Sequence, residues 1–133
     1  MSAIYPAFES ALPNANSFNG SSLSRCLKQL DEIAASAKFT QLSRFIDSRT
    51  MALEMLDEEQ LAAMPVPPVT WHQAKDGLLT IRGLMAAIEQ GNLRFPSRRG
   101  DDTEAVLNDL RKLEELLSSA SLEGNRFHLL VDI

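Results

Sequence analysis

The sequence predicts a mainly α-helical fold: a single domain over residues 1–133, with four to five helices and a small two-stranded β element formed by the termini. Three long segments place apolar residues three and four positions apart, which is the spacing of one helical face. The closing residues 126–133 instead alternate, which predicts a strand with one buried face. Such a strand needs a partner, and residues 3–9 are the simplest one, with Pro6 restricting them to the edge of a sheet.

Capping residues and apolar spacing together set the bounds of the predicted helices. Thr70-x-x-Gln73 and Asp101-x-x-Glu104 have the form of capping boxes, in which two backbone donors are satisfied reciprocally. Gly91 suits the end of the helix that Thr70 begins, and the polar segment 92–100 is predicted to be a flexible connection. Helices are therefore predicted from residue 21 or 22 to about 37, from 40 to about 47, within 50–64, from 70 to about 91, and from 101 or 102 to about 120.

Charge and cysteine content exclude several classes of function. The chain carries 13 basic and 18 acidic residues, a net charge of −5, and binding to nucleic acid needs clustered Lys and Arg instead. We therefore expect no nucleic-acid partner. The single cysteine, Cys26, excludes an internal disulfide, and the chain has only two histidines to act with it as metal ligands. No metal and no other cofactor is expected.

The sequence also gives an expectation for location. No segment approaches the roughly 18 consecutive apolar residues that a membrane-spanning helix needs. The N-terminal segment MSAIYPAFESALP has neither a basic region nor the apolar run of a signal peptide. We expect a cytoplasmic protein with no membrane partner.

The stretch 71–82, WHQAKDGLLTIR, contains the candidate ligand-binding residues Trp71, His72 and Arg82. In a functional interpretation Trp71 stacks on a ligand, His72 performs acid–base chemistry and Arg82 holds an anion. In a structural interpretation Trp71 anchors the entrance of the helix and His72 is a polar residue near its cap. Arg82 then either extends to water along its apolar stem or pairs with a carboxylate. The residue pattern favours the structural interpretation, and no catalytic residue is predicted.

Three further residues also favour structural roles. Gly77 costs a helix about 0.5–1 kcal/mol relative to Ala, so its place on or beside the buried face predicts a close approach by another backbone. Cys26 lies on the apolar face of its helix, which disfavours a nucleophile. His128 and Asp132 share a strand face but are about 13 Å apart along it, too far for a hydrogen bond.

The string W-x4-D-G-L-x-T-I-R and the closing H-L-L-V-D-I resemble a pattern of small uncharacterised bacterial proteins. The resemblance covers the second half of the chain and implies a helix followed by one further helix and a short C-terminal strand. It implies no assigned activity, and no catalytic residues are carried over. The residues on which it depends are Trp71, Asp76, Gly77, Leu78, Thr80, Ile81, Arg82, His128 and Asp132.

The leading functional hypothesis is a non-enzymatic protein-interaction module, such as an adaptor, an inhibitor or an immunity-type binder. It would act through an exposed acidic or apolar helix surface, and a partner with a basic surface would be the electrostatic complement. The alternative is a small-ligand-binding protein or minor enzyme with a pocket near Trp71 and Arg82. The sequence leaves open a monomer or a homodimer, in which the C-terminal strand pairs across a two-fold axis instead of with residues 3–9.

Overall fold

The computed structural model of the chain describes residues 3–10, 12, 18, 20–46, 70–98 and 100–132. This part of the chain contains both strands and helices. The elements are β1 (Ala3–Phe8), α1 (Ser21–Arg25), α2 (Leu27–Ser36), a 3₁₀ helix (Leu42–Phe45), β2 (His72–Gln73), α3 (Ala74–Gly91), β3 (Pro96–Ser97), β4 (Gly100–Asp101), α4 (Thr103–Leu122) and β5 (Arg126–Asp132).

The predicted fold class is wrong, because the described part of the chain is mixed α/β. Its five strands form two antiparallel sheets, one of three strands in the order β1-β5-β2 and one hairpin of β3 and β4. The strands that the sequence did not predict, β2, β3 and β4, have two residues each. A two-residue strand is too short to show the alternation by which a strand is recognised in a sequence.

The central sheet joins the two ends of the described chain. Residues 3–8 pair antiparallel with β5, as predicted, and Ile4 lies opposite Val131. On the other side of β1, the Ile4 N–H donates to the Gly20 carbonyl at 3.2 Å. Because alternate backbone groups point the same way along a strand, the missing N–H of Pro6 also faces this outer edge. Pro6 therefore interrupts no bond within the sheet.

The two long helices pack on each other and on the inner face of this sheet. Their apolar faces are buried as the three-and-four spacing predicts. In α3 the buried apolar residues are Ala74, Leu78, Ile81, Leu84 and Ile88, and in α4 they are Val106, Leu107, Leu110, Leu113, Leu117 and Ala120. The rings of Phe45 and Phe127 stack at 5.4 Å, and both rings belong to this core.

Helix α3 begins four residues later than predicted, because the chain before it pairs with β5. Gln73 has extended backbone angles (φ −66°, ψ 135°) and caps the helix without a side-chain hydrogen bond. The predicted capping box of Thr70 and Gln73 is therefore wrong. At the other end the left-handed residue is Asn92 (φ 49°), while Gly91 is the last residue of the helix.

The remaining predicted helices differ in detail. The first helix is divided at Cys26, and neither part has a side-chain cap, because their N-cap residues are Gly20 and Cys26. The Ser22 hydroxyl donates to the Asp109 carboxylate of α4. The helix predicted over 40–47 is the 3₁₀ helix, and the one predicted within 50–64 lies outside the described residues.

The start of α4 and the connection before it also depart from the prediction. The Asp101–Glu104 capping box is wrong, because the carboxylate of Asp101 accepts hydrogen bonds from the N–H and hydroxyl of Thr103. The connection 92–100 contains the first strand of the hairpin and the fully buried Phe95.

Candidate functional site

Strand β2 directs the side chains of the neighbouring residues Trp71 and His72 to different faces of the sheet. His72 lies opposite Phe127 of β5, so its imidazole is on the inner face of the sheet. There it makes an edge-on contact with the ring of Phe45, with 5.1 Å between centroids. Because successive side chains of a strand point to opposite faces, Trp71 lies on the outer face. Trp71 and His72 therefore lie on opposite faces of the sheet.

Trp71 has a defined partner on that outer face. Its ring stacks on His128 with 4.5 Å between centroids and 26° between planes. His128 is buried, although the alternation of β5 placed it on the more polar side of the strand. The sequence around Trp71 and the alternation around His128 contain no signal that these two side chains are in contact. The arrangement supports the structural interpretation of Trp71.

His72 lines an open groove of about 400 Å³ between α3 and the turn that follows α2. A second, wider depression of about 620 Å³ continues from it and shares Phe39, Thr40 and His72. We call the first depression the His72 groove. Its described lining residues are Lys38, Phe39, Thr40, Phe45, His72, Asp76, Leu79 and Thr80.

The turn after α2 forms one wall of the groove, and its backbone is tightly bonded. The Phe39 N–H donates to the Ala34 carbonyl at 2.8 Å, and the Lys38 N–H donates to the Ala35 carbonyl at 3.2 Å. This is the bond pattern of a Schellman motif, whose left-handed position is usually Gly. Here that position is Lys38, with φ 64°. The turn places a lysine and an aromatic ring side by side at the rim.

Two contacts fix this wall against α3. The buried Thr80 hydroxyl donates to the Thr40 carbonyl at 2.8 Å. The Phe39 ring lies directly over Gly83, since a Cβ built on that glycine would be 2.5 Å from the ring. The groove is therefore held by hydrogen bonds and packing on both sides, which pre-organises it for a ligand or partner.

Arg82 lies away from the His72 groove. Its guanidinium pairs with Glu114 of α4 at 3.5 Å, and both side chains are substantially exposed. Of the two structural roles that the sequence allowed, this is the carboxylate pair, and it bridges the exposed side of the two long helices. A surface pair of this kind contributes about 0–1 kcal/mol. Of the three predicted ligand-binding residues, only His72 lines the groove.

The other chemically reactive groups lie outside the groove. Burial raises the pKa of the Cys26 thiol, the nearby Asp102 carboxylate raises it further, and Arg25 opposes the shift. A raised thiol pKa disfavours the thiolate that a nucleophile needs. Within the described residues, no group of three or more His, Cys, Asp and Glu side chains is placed to hold a metal ion.

The comparisons with known proteins indicate no function for this chain. No family model, curated protein or solved structure is significantly similar to this chain. The resemblance to small bacterial proteins stays a prediction. None of the helices in the described part of the chain is long and apolar enough to cross a membrane.

Proposed function

We propose that this chain is a non-enzymatic protein-interaction module that binds a segment of a partner protein in the His72 groove. The observation that carries this proposal is the exposure of two large apolar side chains at the rim. Leu79 is 69% exposed and Phe39 is 37% exposed, and both line the groove of about 400 Å³. Apolar anchors around a pocket are the centre of many protein interfaces.

The polar groups around these anchors also fit an interface. Lys38, Arg44 and Asp76 surround the two depressions, so a partly apolar floor has a charged rim. Protein interfaces commonly combine a buried apolar centre with a polar, solvated border. An adaptor, inhibitor or immunity-type binder would use such a surface without performing any chemistry.

The alternative function, a small-ligand-binding protein or minor enzyme near Trp71 and Arg82, has weaker support. Trp71 is stacked on His128 across the sheet, and Arg82 is paired with Glu114. That leaves His72 as the one member of the predicted set in the groove. The proposal keeps the expected cytoplasmic location, the absence of a nucleic-acid partner, and a monomer or homodimer.

The test places a photo-crosslinking amino acid at position 79 and, as a matched control, at position 122. Leu122 is 88% exposed at the end of α4 and does not line the groove. After illumination in lysate of the source organism, we expect a defined protein adduct from position 79 and none from position 122. In a separate affinity pull-down without the crosslinker, Leu79→Asp should abolish recovery of the same protein, and Leu122→Asp should not. Equal recovery with Leu79→Asp and with the unchanged chain would contradict the proposal, as would a small molecule retained in native mass spectrometry.

A further inference from the structure

We infer that the partner segment bound by the His72 groove is acidic: an apolar anchor residue flanked by carboxylates that contact Lys38 in the groove and Arg44 in the adjoining second depression. This inference rests on the proposed function and adds the chemistry of the partner. It differs from the expectation of a partner with a basic surface, which was based on the net charge of the whole chain, −5. The described charged residues around the groove and the adjoining depression have the opposite balance, with Lys38 and Arg44 against Asp76.

Lys38 and Arg44 are exposed cations, and neither has a carboxylate of the described residues within ion-pairing distance. The same is true of Arg98 and of the other described lysines, but Lys38 and Arg44 are the ones that line the two depressions. Within the described residues, no carboxylate competes with an incoming anion for either cation. The described arginines that do pair with a carboxylate are Arg25, Arg82, Arg94, Arg111 and Arg126.

Among the described residues, the charged side chains that line the two depressions are Lys38, Arg44 and Asp76, two cations against one carboxylate. Lys38 and Asp76 lie on opposite walls, one in the turn after α2 and the other in the first turn of α3. This excess of positive charge among the described lining residues favours an acidic segment locally, through complementarity at short range.

Lys38 itself has a left-handed backbone conformation, with φ 64°. A left-handed backbone is unfavourable for lysine, and the equivalent turn after α3 uses Asn92, a residue that tolerates this conformation well. A strained residue at the rim of a groove suggests that its side chain serves binding there. The strain places a cation next to the apolar ring of Phe39, so one short segment can contact both.

The experiment uses two fluorescein-labelled peptides and the full chain. In one peptide, Glu residues flank a central Leu-Phe pair, and in the other, Lys replaces every Glu. We expect fluorescence anisotropy to show about tenfold tighter binding of the Glu peptide, since two exposed ion pairs each change affinity by up to about fivefold. This preference should decrease as ionic strength rises.

Charge-reversal variants provide the controls. The double variant Lys38→Glu, Arg44→Glu should bind the Lys peptide more tightly than the Glu peptide, whereas Arg98→Glu, outside the groove, should keep the original preference. Equal binding of the two peptides, a preference for Lys, or no binding of either would overturn the inference. If position 79 still crosslinks its partner in the double variant with undiminished yield, the acidic segment is wrong while the interaction module stands. If positions 79 and 122 crosslinked the same proteins with equal yield, the proposed interaction module itself would be overturned.

Discussion

Gly77 and Phe127 are in such close contact that no other residue fits at position 77 without a shift. A Cβ built on Gly77 would lie 2.5 Å from Cζ of the Phe127 ring and 3.1 Å from Cδ1 of Leu117. Phe127 is 1% exposed, so its ring is enclosed by the core and has little room to move. The glycine in WHQAKDGLLTIR thus serves packing, although the neighbour is a side chain of β5 and not the backbone predicted from the sequence.

We predict that Gly77→Ala destabilises the protein. Overpacking of a filled core costs about 1–3 kcal/mol, which exceeds the roughly 0.5–1 kcal/mol that alanine contributes through helix propensity. The expected net loss in the free energy of unfolding is about 1–2 kcal/mol. Denaturation in urea, followed by the fluorescence of the single tryptophan, measures this directly.

Gly83 provides a matched control in the same helix. A Cβ at Gly83 would also be 2.5 Å from a phenylalanine ring, but that ring belongs to Phe39, which is 37% exposed and has more room to shift than Phe127. Gly83→Ala disturbs the contact between Phe39 and α3, but it should cost less stability than Gly77→Ala, because alanine favours the helix by up to about 1 kcal/mol. A Gly77→Ala variant as stable as Gly83→Ala would show that the buried ring yields easily, contrary to this account.

We next predict that Trp71 acts as a structural anchor. The ring stacks on buried His128 but is itself only partly buried, so Trp71→Ala should cost about 1–3 kcal/mol, less than the 3–5 kcal/mol of a fully buried ring. Trp71→Phe keeps a stacking ring and should cost less than half as much. Thermal unfolding by circular dichroism distinguishes the two. A Trp71→Ala variant of unchanged stability that loses the crosslink at position 79 would indicate a binding role instead.

The sequence predicted features that repeat along one segment. The apolar faces of α3 and α4 and the alternation of β5 each extend over several periods, so the pattern is unambiguous. The partner of β5 followed because an isolated strand needs one. The proline rule likewise placed Pro6 at an edge.

Features that depend on distant residues were not predicted. Strand β2 forms because His72 pairs with Phe127. Because of this pairing, α3 begins at Ala74 and not at Thr70 as predicted. The His72 groove combines residues from the turn after α2 with residues of α3, so no single stretch of sequence contains it. Arg82 had two structural options in the sequence, and only the position of Glu114 on the neighbouring helix decides between them.

Lys38 gives a third prediction, in which stability and binding change in opposite directions. Glycine adopts the left-handed backbone of this turn without strain, so Lys38→Gly should stabilise the protein by about 1 kcal/mol. It should also weaken binding of the Glu peptide several-fold. Asn92→Gly is the matched control at the end of α3, with a smaller gain in stability and unchanged binding. If Lys38→Gly left peptide affinity unaltered, the lysine would have no role in the groove.

The last prediction concerns Asp101 and the response of the fold to acid. Hydrogen bonds from the hydroxyl and the N–H of Thr103 lower the pKa of the Asp101 carboxyl below its usual value of 3.8. The unfolded chain lacks these bonds, so its carboxyl binds a proton at higher pH than the folded one. The stabilisation is therefore fully present above the unfolded pKa and is lost as the pH falls through the lowered folded pKa.

Asp101→Asn removes this titration but keeps an oxygen that accepts from Thr103. We expect the free energy of unfolding to decrease less steeply with acid in Asp101→Asn than in the wild type, in the range below about pH 4. Thr103→Val, which lacks the donating hydroxyl, should raise the Asp101 pKa towards its usual value, and Thr103→Ser should keep it low. An NMR titration of the Asp101 carboxyl carbon measures each case. A wild-type pKa at or above 3.8 would show that the Thr103 bonds do not stabilise the charged form.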